Sequence, residues 1–267
     1  MREMDIVRVN KGMVEYCRDK IVDEFSLSLY LNGRNFVKLL CTPSALEALV
    51  YGYLLTERVI AAKSDIISIE IKPVNEESSE AFVQLARDVF TDIEENAPRT
   101  VTTGLGPQQS LTYVTARKKA HIESGLQLTW QQVLRGIEQF DSTSEVFATT
   151  GGVHSCALST LEQGICIFME DIGRHNAFDK VLGQALLDDL DLGQCFLLCS
   201  GRVPGYMALK AINAGLPVII SRSAVTTKAV ELARQADLTL CGFARGERVN
   251  IYAGQERIIL PEQGRTK

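Results

Sequence analysis

Residues 164–180 read GICIFMEDIGRHNAFDK and combine two structural signals. Gly164–Met169 is an apolar run typical of a buried strand, and Phe178, Val181 and Leu182 follow with helical spacing. The polar stretch 170–176 therefore lies where a strand gives way to a helix. Ligands of α/β proteins bind at that edge, because helix N-termini and backbone N–H groups collect there. The stretch predicts an α/β fold with a ligand-binding edge.

Strands and helices alternate from Thr149 onward. The predicted strands are 153–158, 164–169, 195–199, 217–220, 238–241 and 248–252, and the predicted helices are 176–187, 204–214 and 227–235. This alternation predicts a mostly parallel sheet with flanking helices and right-handed crossovers.

The first half of the chain has a different organisation. Asn32-Gly33 between the apolar runs 25–31 and 36–41 predicts a β-hairpin, and Thr42-Pro43 predicts a helix start. The remaining predicted elements are a strand over 66–71, a helix over 76–96, and a helix over 129–140 that opens with a capping box. We therefore expect a smaller α+β domain over 1–110 and an α/β domain over 111–267.

Composition excludes several classes of protein. The net charge of −5 argues against a general nucleic-acid binder, and no apolar run approaches the ~18 residues of a membrane span. The N-terminus lacks the apolar core of a signal peptide. The seven cysteines have no paired spacing, which predicts a reduced, cytoplasmic protein. No metal site is expected, because the chain contains neither H-E-x-x-H nor C-x-x-C.

Five loops at strand ends share one chemistry, because each combines Gly or Ser with Arg or His. Glycine admits a ligand close to the backbone, and arginine offers a planar fork that matches phosphate oxygens. Each loop alone also fits an ordinary turn with a solvated arginine. Together they predict a pocket for a multiply phosphorylated ligand. Its predicted residues are Thr150, Gly151, Gly152, Asp171, Gly173, Arg174, His175, Asn176, Ser200, Gly201, Arg202, Ser221, Arg222, Phe243, Ala244, Arg245, Gly246, Glu247 and Arg248.

Cys156 lies two residues from His154, so both side chains face the same side of a strand. A neighbouring histidine lowers a thiol pKa and makes a nucleophile, whereas a buried thiol is inert. Both interpretations remain open at this point.

Four segments resemble the FdhD family of formate dehydrogenase accessory sulfur carriers. They are Thr150–His154, 170–181, Ser200–Arg202 and 242–246, and the N-terminal segments Cys41–Pro43, Leu46-Glu47 and 52–57 are also similar to that family. The resemblance covers residues 25–252. It implies a cytidine-deaminase-like C-terminal domain. It also implies a protein that accepts sulfur from a cysteine desulfurase and passes it to the molybdenum cofactor, bis-molybdopterin guanine dinucleotide, before insertion into apo-formate dehydrogenase.

The chain departs from the family pattern where the sulfur is carried. The family has a Cys-x-x-Cys after a Thr-Thr pair, and the corresponding stretch here, 102–109, contains no cysteine. A persulfide needs a thiolate, so this change removes the family's mechanism. In addition, Arg58 replaces the usual Gly, and Val225 replaces a frequent Pro.

Three functions follow from these observations. The first is a sulfur carrier, a sulfurtransferase-like role, in which Cys156 is the substitute catalytic thiol and His154 assists it. The second is a chaperone that binds the cofactor without sulfur transfer, for which GDP or GTP serves as a fragment mimic. The third is an α/β enzyme that uses His154, Asp171 and His175 as acid/base groups. Oligomeric state is left open, with a homodimer as one alternative.

Overall fold

The computed structural model describes residues 1–87, 99–101 and 121–261. Its N-terminal part holds a two-stranded hairpin and a five-stranded sheet in the order β5-β6-β3-β4-β7. The strands are β1 (Arg2–Asn10), β2 (Met13–Ile21), β3 (Phe25–Leu31), β4 (Arg34–Cys41), β5 (Ile66–Asn75), β6 (Ser78–Leu85) and β7 (Arg99–Val101). The predicted hairpin is confirmed. Asn32 and Gly33 both have positive φ, as a tight antiparallel turn requires.

The predicted helix over 76–96 is wrong in its described half, which forms β6. Ser79, Ala81, Val83 and Leu85 alternate inward along this strand, and Phe82 on the other face stacks on Tyr30 at 5.0 Å. Burial with a period of two, beside β3, overrides the helical spacing of the apolar residues. Residues 88–96 lie outside the described residues.

Helix α1 (Leu46–Thr56) is confirmed, but its start at Thr42-Pro43 is wrong. The backbone N–H and hydroxyl of Thr42 both donate to Asp171 instead of opening a helix. Nearly every residue of α1 is buried, because the helix lies between the two parts of the chain.

The C-terminal part holds a six-stranded sheet in the order β10-β9-β11-β12-β13-β14. Its strands are β9 (His154–Thr160), β10 (Gly164–Asp171), β11 (Phe196–Cys199), β12 (Val218–Ser221), β13 (Thr239–Arg245) and β14 (Arg248–Ala253). A small sheet pairs β8 (Leu128–Thr129) with β15 (Ile258–Ile259). The helices are α2 (Trp130–Thr143), α3 (Glu145–Thr150), α4 (Arg174–Leu187), α5 (Gly205–Ala214) and α6 (Thr227–Ala236). The boundary predicted at residue 110 lies outside the described residues.

The predicted alternation is confirmed, but the mostly parallel sheet is wrong. Only β11–β12 and β12–β13 pair in parallel, whereas β9 runs antiparallel to both β10 and β11, and β13 runs antiparallel to β14. The connections β9–β10 and β13–β14 are only a few residues long, and short connections permit only antiparallel pairing. The result is a mixed α/β fold.

Each face of this sheet has its own core. Phe178, Val181 and Met207 belong to the core on the side of α4, α5 and α6. On the other side, Ile137 and Phe140 of α2 pack against the sheet. Helix α2 begins with the predicted capping box, in which Thr129 and Gln132 each accept a backbone N–H from the other. In the described part of the chain, no helix is long and apolar enough to cross a membrane.

Two buried ion pairs of the C-terminal part lie at its junction with the N-terminal part, which their lysines contact. Lys180 Nζ lies 2.6 Å from Asp171 Oδ2, and Lys210 Nζ lies 2.6 Å from Asp179 Oδ2. Lys180 also donates to Thr42, and Lys210 donates to Thr56 at the end of α1. These contacts fix the position of α4, whose first turn borders the candidate site.

Candidate functional site

All five predicted loops contribute to one cleft of about 590 Å³ at an edge of the six-stranded sheet. They contribute Gly151, Ile172, Ser200, Arg222, Phe243 and Arg245, among others. The carboxyl ends of the parallel strands β11 and β12 lie at this edge. The start of β9 also lies at this edge, because β9 runs antiparallel to β11. Antiparallel pairing of β9 and β10 then places His154 directly beside Asp171.

Serine side chains tie neighbouring loops together. Ser200 Oγ accepts the N–H of Ser155 at 3.0 Å. Ser221 is fully buried, and its hydroxyl donates to Gly201 O at 2.9 Å and accepts the N–H of Ser223 at 2.9 Å. Ser200 lines the cleft, whereas Ser221 holds two loops in register beneath it.

Two arginines line the cleft together with the aromatic ring of Phe243. Arg222 Nε lies 3.0 Å from Asp141 Oδ1, and burial raises the pKa of the Asp141 carboxyl although Arg222 opposes that shift. Arg245 is exposed, and its guanidinium lies 5.9 Å from the ring centre of Phe243. Guanidinium groups bind phosphate oxygens, and an aromatic face stacks on a planar base. The set is therefore suited to a nucleotide.

The residues of the loop 242–248 differ in whether they line the cleft. Phe243 lines the cleft and adopts a φ of 51°, and Arg248 lies 5.4 Å from its ring centre without lining the cleft. Ala244, predicted as a ligand contact, is buried in the core on the α2 side and does not line the cleft. Gly246 forms the turn with a φ of 56°, and Glu247 beside it is exposed.

Asp171 and Asn176, predicted as ligand contacts, are buried and hydrogen-bonded within the protein, which argues against that role. Asp171 is fully buried, and both of its oxygens are occupied by Thr42, Gly173, Asn176 and Lys180. Asn176 Nδ2 donates to Asp171 and to the carbonyl of Leu40. Because the carboxylate is fully enclosed, Asp171 is also unsuited to act as an acid/base group.

Gly173, Arg174, His175, Gly201 and Arg202 lie beside the cleft and do not line it. Gly173 precedes α4, and its N–H donates to Asp171. Burial and the nearby charge of Arg174 lower the pKa of His154, which does line the cleft, while Asp171 opposes that shift. His175 is buried, and burial lowers its pKa to about 3.

Part of the cleft wall was not predicted, because α3 was not predicted. Glu170 caps this short helix, since its carboxylate accepts the hydroxyl of Ser144 and the N–H groups of Val146 and Phe147. Ser144, Phe147 and Asp141 line the cleft from this side. Ser144-Glu145 is an N-cap signal that indicates such a helix. Thr150, which ends α3, bonds to Val146 O and to the N–H of Gly152.

The surroundings of Cys156 argue against its predicted role as a substitute nucleophile. Its thiol is buried among the core residues under α4, and burial raises its pKa well above the usual value. Burial also raises the pKa of Cys41, Cys195, Cys199 and Cys241 to about 12. No cysteine is among the described residues that line the cleft. The cysteine-free stretch 102–109 lies outside the described residues.

Comparison with known proteins agrees with the sequence resemblance. Residues 22–259 match the profile of the FdhD/NarQ family. A sulfur carrier protein FdhD from Halalkalibacterium halodurans is 34% identical over 97% of this chain and 95% of its own length. The FdhD of Wolinella succinogenes is 35% identical over 91% of this chain and 83% of its own length.

The same fold occurs in a solved structure of a formate dehydrogenase accessory protein from Desulfotalea psychrophila. The two chains superpose with a TM-score of 0.77 at 23% identity, over 97% of this chain and 99% of the other. At that identity the likeness concerns the fold alone. From the family profile and the full-length relatives, the chain belongs to the FdhD/NarQ family.

Proposed function

We propose that this protein is an accessory factor in formate dehydrogenase assembly that binds the molybdenum cofactor, bis-molybdopterin guanine dinucleotide, in the cleft. The observation that carries the proposal is the joint placement of Arg222, Arg245 and Phe243 around one cavity. The names of the relatives and of the solved structure supply the link to sulfur carriage and to formate dehydrogenase.

The residues present fit the nucleotide end of that cofactor. Arg222 and Arg245 offer guanidinium groups to pyrophosphate oxygens, and Phe243 offers an aromatic face to guanine. The cleft, at about 590 Å³, has the size of a small-molecule site. When bound, the cofactor supplies the molybdenum chemistry of the target enzyme, whereas this chain binds and orients the nucleotide.

A second candidate is the sulfur carrier, which the names of the full-length relatives favour. A carrier thiolate attacks the terminal sulfur of a persulfide on a cysteine desulfurase. A new Cys–S–S⁻ forms, and the donor returns to a thiolate. Six of the seven cysteines have a raised pKa, which disfavours this step. We therefore favour a cofactor-binding chaperone over a sulfur carrier.

Two finer expectations accompany the proposal. The deaminase-like fold implied by the resemblance concerns architecture alone, because the zinc-ligand pattern of deaminases is missing from the chain. All seven cysteines are free, which suits a reducing compartment such as the cytoplasm.

Two measurements separate the candidates. The protein is incubated with a cysteine desulfurase and cysteine, and its mass is then measured. A chaperone keeps its mass, whereas a carrier gains one sulfur that maps to a cysteine-containing peptide. In parallel, molybdenum and guanine that co-purify with the protein are quantified from cells that make the cofactor. Their absence would contradict the cofactor-binding proposal.

A further inference from the structure

Two arginines beside the cleft have no acidic partner. Arg174 is the half-buried first residue of α4, and Arg202 is exposed in the loop before α5. Among the described residues, neither guanidinium forms an ion pair, and the buried Nε of Arg174 makes no hydrogen bond. Burial lowers the pKa of Arg174, and the charge of Arg202 lowers it further. The positive charges of Arg174 and Arg202 therefore lie near each other, and no acidic side chain among the described residues pairs with either.

His175 adds an unpaired polar atom to this group. The residue is only 6% exposed, and its Nε2 has no hydrogen-bond partner. Its ring packs edge-on against Tyr206 in the first turn of α5, with ring centres 5.7 Å apart. A buried polar atom without a partner costs about 1–3 kcal/mol, so such atoms usually have a ligand or water to bind.

The first turns of two helices meet at this point. Arg174 and His175 open the 14-residue α4, and Tyr206 belongs to the first turn of the 10-residue α5. Helix N-termini carry partial positive charge and attract anions. Here they coincide with the two uncompensated arginines and the unpaired imidazole.

Gly201 lies where this group borders the cleft. A Cβ on Gly201 would lie 3.3 Å from His154 Nδ1 and 3.3 Å from Arg174 Cβ, so the glycine is packed between these two side chains. His154 lines the cleft, whereas Arg174, His175 and Arg202 do not. The group therefore borders the cleft at His154 but lies outside its lining.

We propose that Arg174, His175 and Arg202 form a second anion site, separate from the Arg222–Arg245 cleft, that binds a doubly charged phosphate-type oxyanion. The two guanidinium groups neutralise the charge, and the imidazole supplies one further hydrogen bond. The oxyanion is either a free inorganic ion or a phosphate of the nucleotide that extends from the cleft. The site stands on residues outside the cleft and does not depend on the proposed cofactor binding.

Calorimetric titration with inorganic phosphate tests this site. We expect one saturable site, and we expect Arg202→Ala to weaken phosphate binding by at least about tenfold through loss of a charge-assisted contact. Arg202→Lys, which keeps the charge, retains part of the affinity. Arg135→Ala, at an exposed arginine of α2, binds phosphate as the wild type does. Because Arg202 is exposed, the variants are expected to fold, and thermal unfolding checks this.

A titration of GDP-saturated protein with phosphate shows whether the bound oxyanion is a free inorganic ion or a phosphate of the nucleotide. Undiminished phosphate binding identifies a free oxyanion. Displacement of phosphate by GDP, with weaker GDP binding in Arg202→Ala, identifies a nucleotide phosphate. Both results support the site, even if the cofactor proposal fails. The proposal is overturned if phosphate shows no saturable binding, or if Arg245→Ala abolishes phosphate binding while Arg202→Ala and Arg174→Gln leave it unchanged.

Discussion

Gly52 of α1 and Gly183 of α4 lie opposite each other where the two helices cross. A Cβ on Gly52 would overlap the carbonyl oxygen of Asp179, and a Cβ on Gly183 would overlap the carbonyl oxygen of Ala48. The helix backbones touch here without intervening side chains. This crossing holds the N-terminal part of the chain against the helix that begins with Arg174 and His175.

Replacing either glycine at this crossing with alanine should destabilise the protein severely. Gly52→Ala or Gly183→Ala forces the helix backbones apart, and overpacking of this kind costs about 1–3 kcal/mol or more. Urea unfolding measures the loss. The matched control is Gly125→Ala, because an added Cβ meets nothing within 4 Å there. Equal stability of Gly52→Ala and Gly125→Ala would contradict the close crossing.

The Asp171–Lys180 pair should show strong coupling. Lys180→Met leaves a fully buried carboxylate without its cation, which costs about 3–5 kcal/mol. Asp171→Asn added to Lys180→Met should cost much less than the sum of the two single changes, because no buried charge then remains unpaired. Additive free energies of unfolding in a double-mutant cycle would show that the two charges do not interact.

His175 should make the protein less stable in mild acid. Its folded pKa, about 3, lies below the usual 6.5, so the unfolded chain binds more protons between these values. Stability is therefore highest above about pH 6.5 and falls by about 1.4 kcal/mol per pH unit below it. Between pH 7.5 and 5 the loss from this group is about 2 kcal/mol.

His175→Phe, which keeps an aromatic ring against Tyr206, should remove that share of the pH dependence. The measurement is the free energy of unfolding of both proteins at each pH. Parallel pH profiles for wild type and variant would mean that His175 titrates normally.

Thiol labelling should distinguish the cysteines. Cys156, Cys199 and Cys241 are buried thiols with raised pKa, so iodoacetamide should leave them unmodified in the folded protein near neutral pH. Cys17, half-buried on the N-terminal hairpin, should be labelled first. Peptide mass spectrometry locates the label, and protein unfolded in urea serves as the fully reactive control. Rapid modification of Cys156 would revive it as a nucleophile.

Local patterns were sufficient to predict many elements of the fold. The apolar runs and helical spacing after Thr149 predicted the strands and helices of the six-stranded sheet, and Asn32-Gly33 predicted a hairpin. Strand direction was mispredicted, although the short connections β9–β10 and β13–β14 indicate antiparallel pairing. The position of β9 beside β11 is nonlocal and leaves no signal in the local sequence. The strand β6 was mistaken for a helix because its environment beside β3 is nonlocal.

The sequence predicted where the site lies better than it predicted what each of its residues does. Residues at strand ends converge because the strands share an edge. The structural role of Asp171 depends on Thr42, 129 positions away in the chain, and local sequence gives no sign of that contact. Arg58 has a φ of 59°, which explains why glycine suits this position in the family that the chain resembles. Nothing in the structure explains Val225.

Binding of GDP measured by calorimetry tests the central claim most directly, namely that the cleft holds a nucleotide through Arg222, Arg245 and Phe243. We predict one saturable site in the wild type, weakened at least about tenfold by Arg245→Ala and unchanged by Arg135→Ala. The absence of saturable GDP binding, or equal affinity in wild type and Arg245→Ala, would contradict the claim.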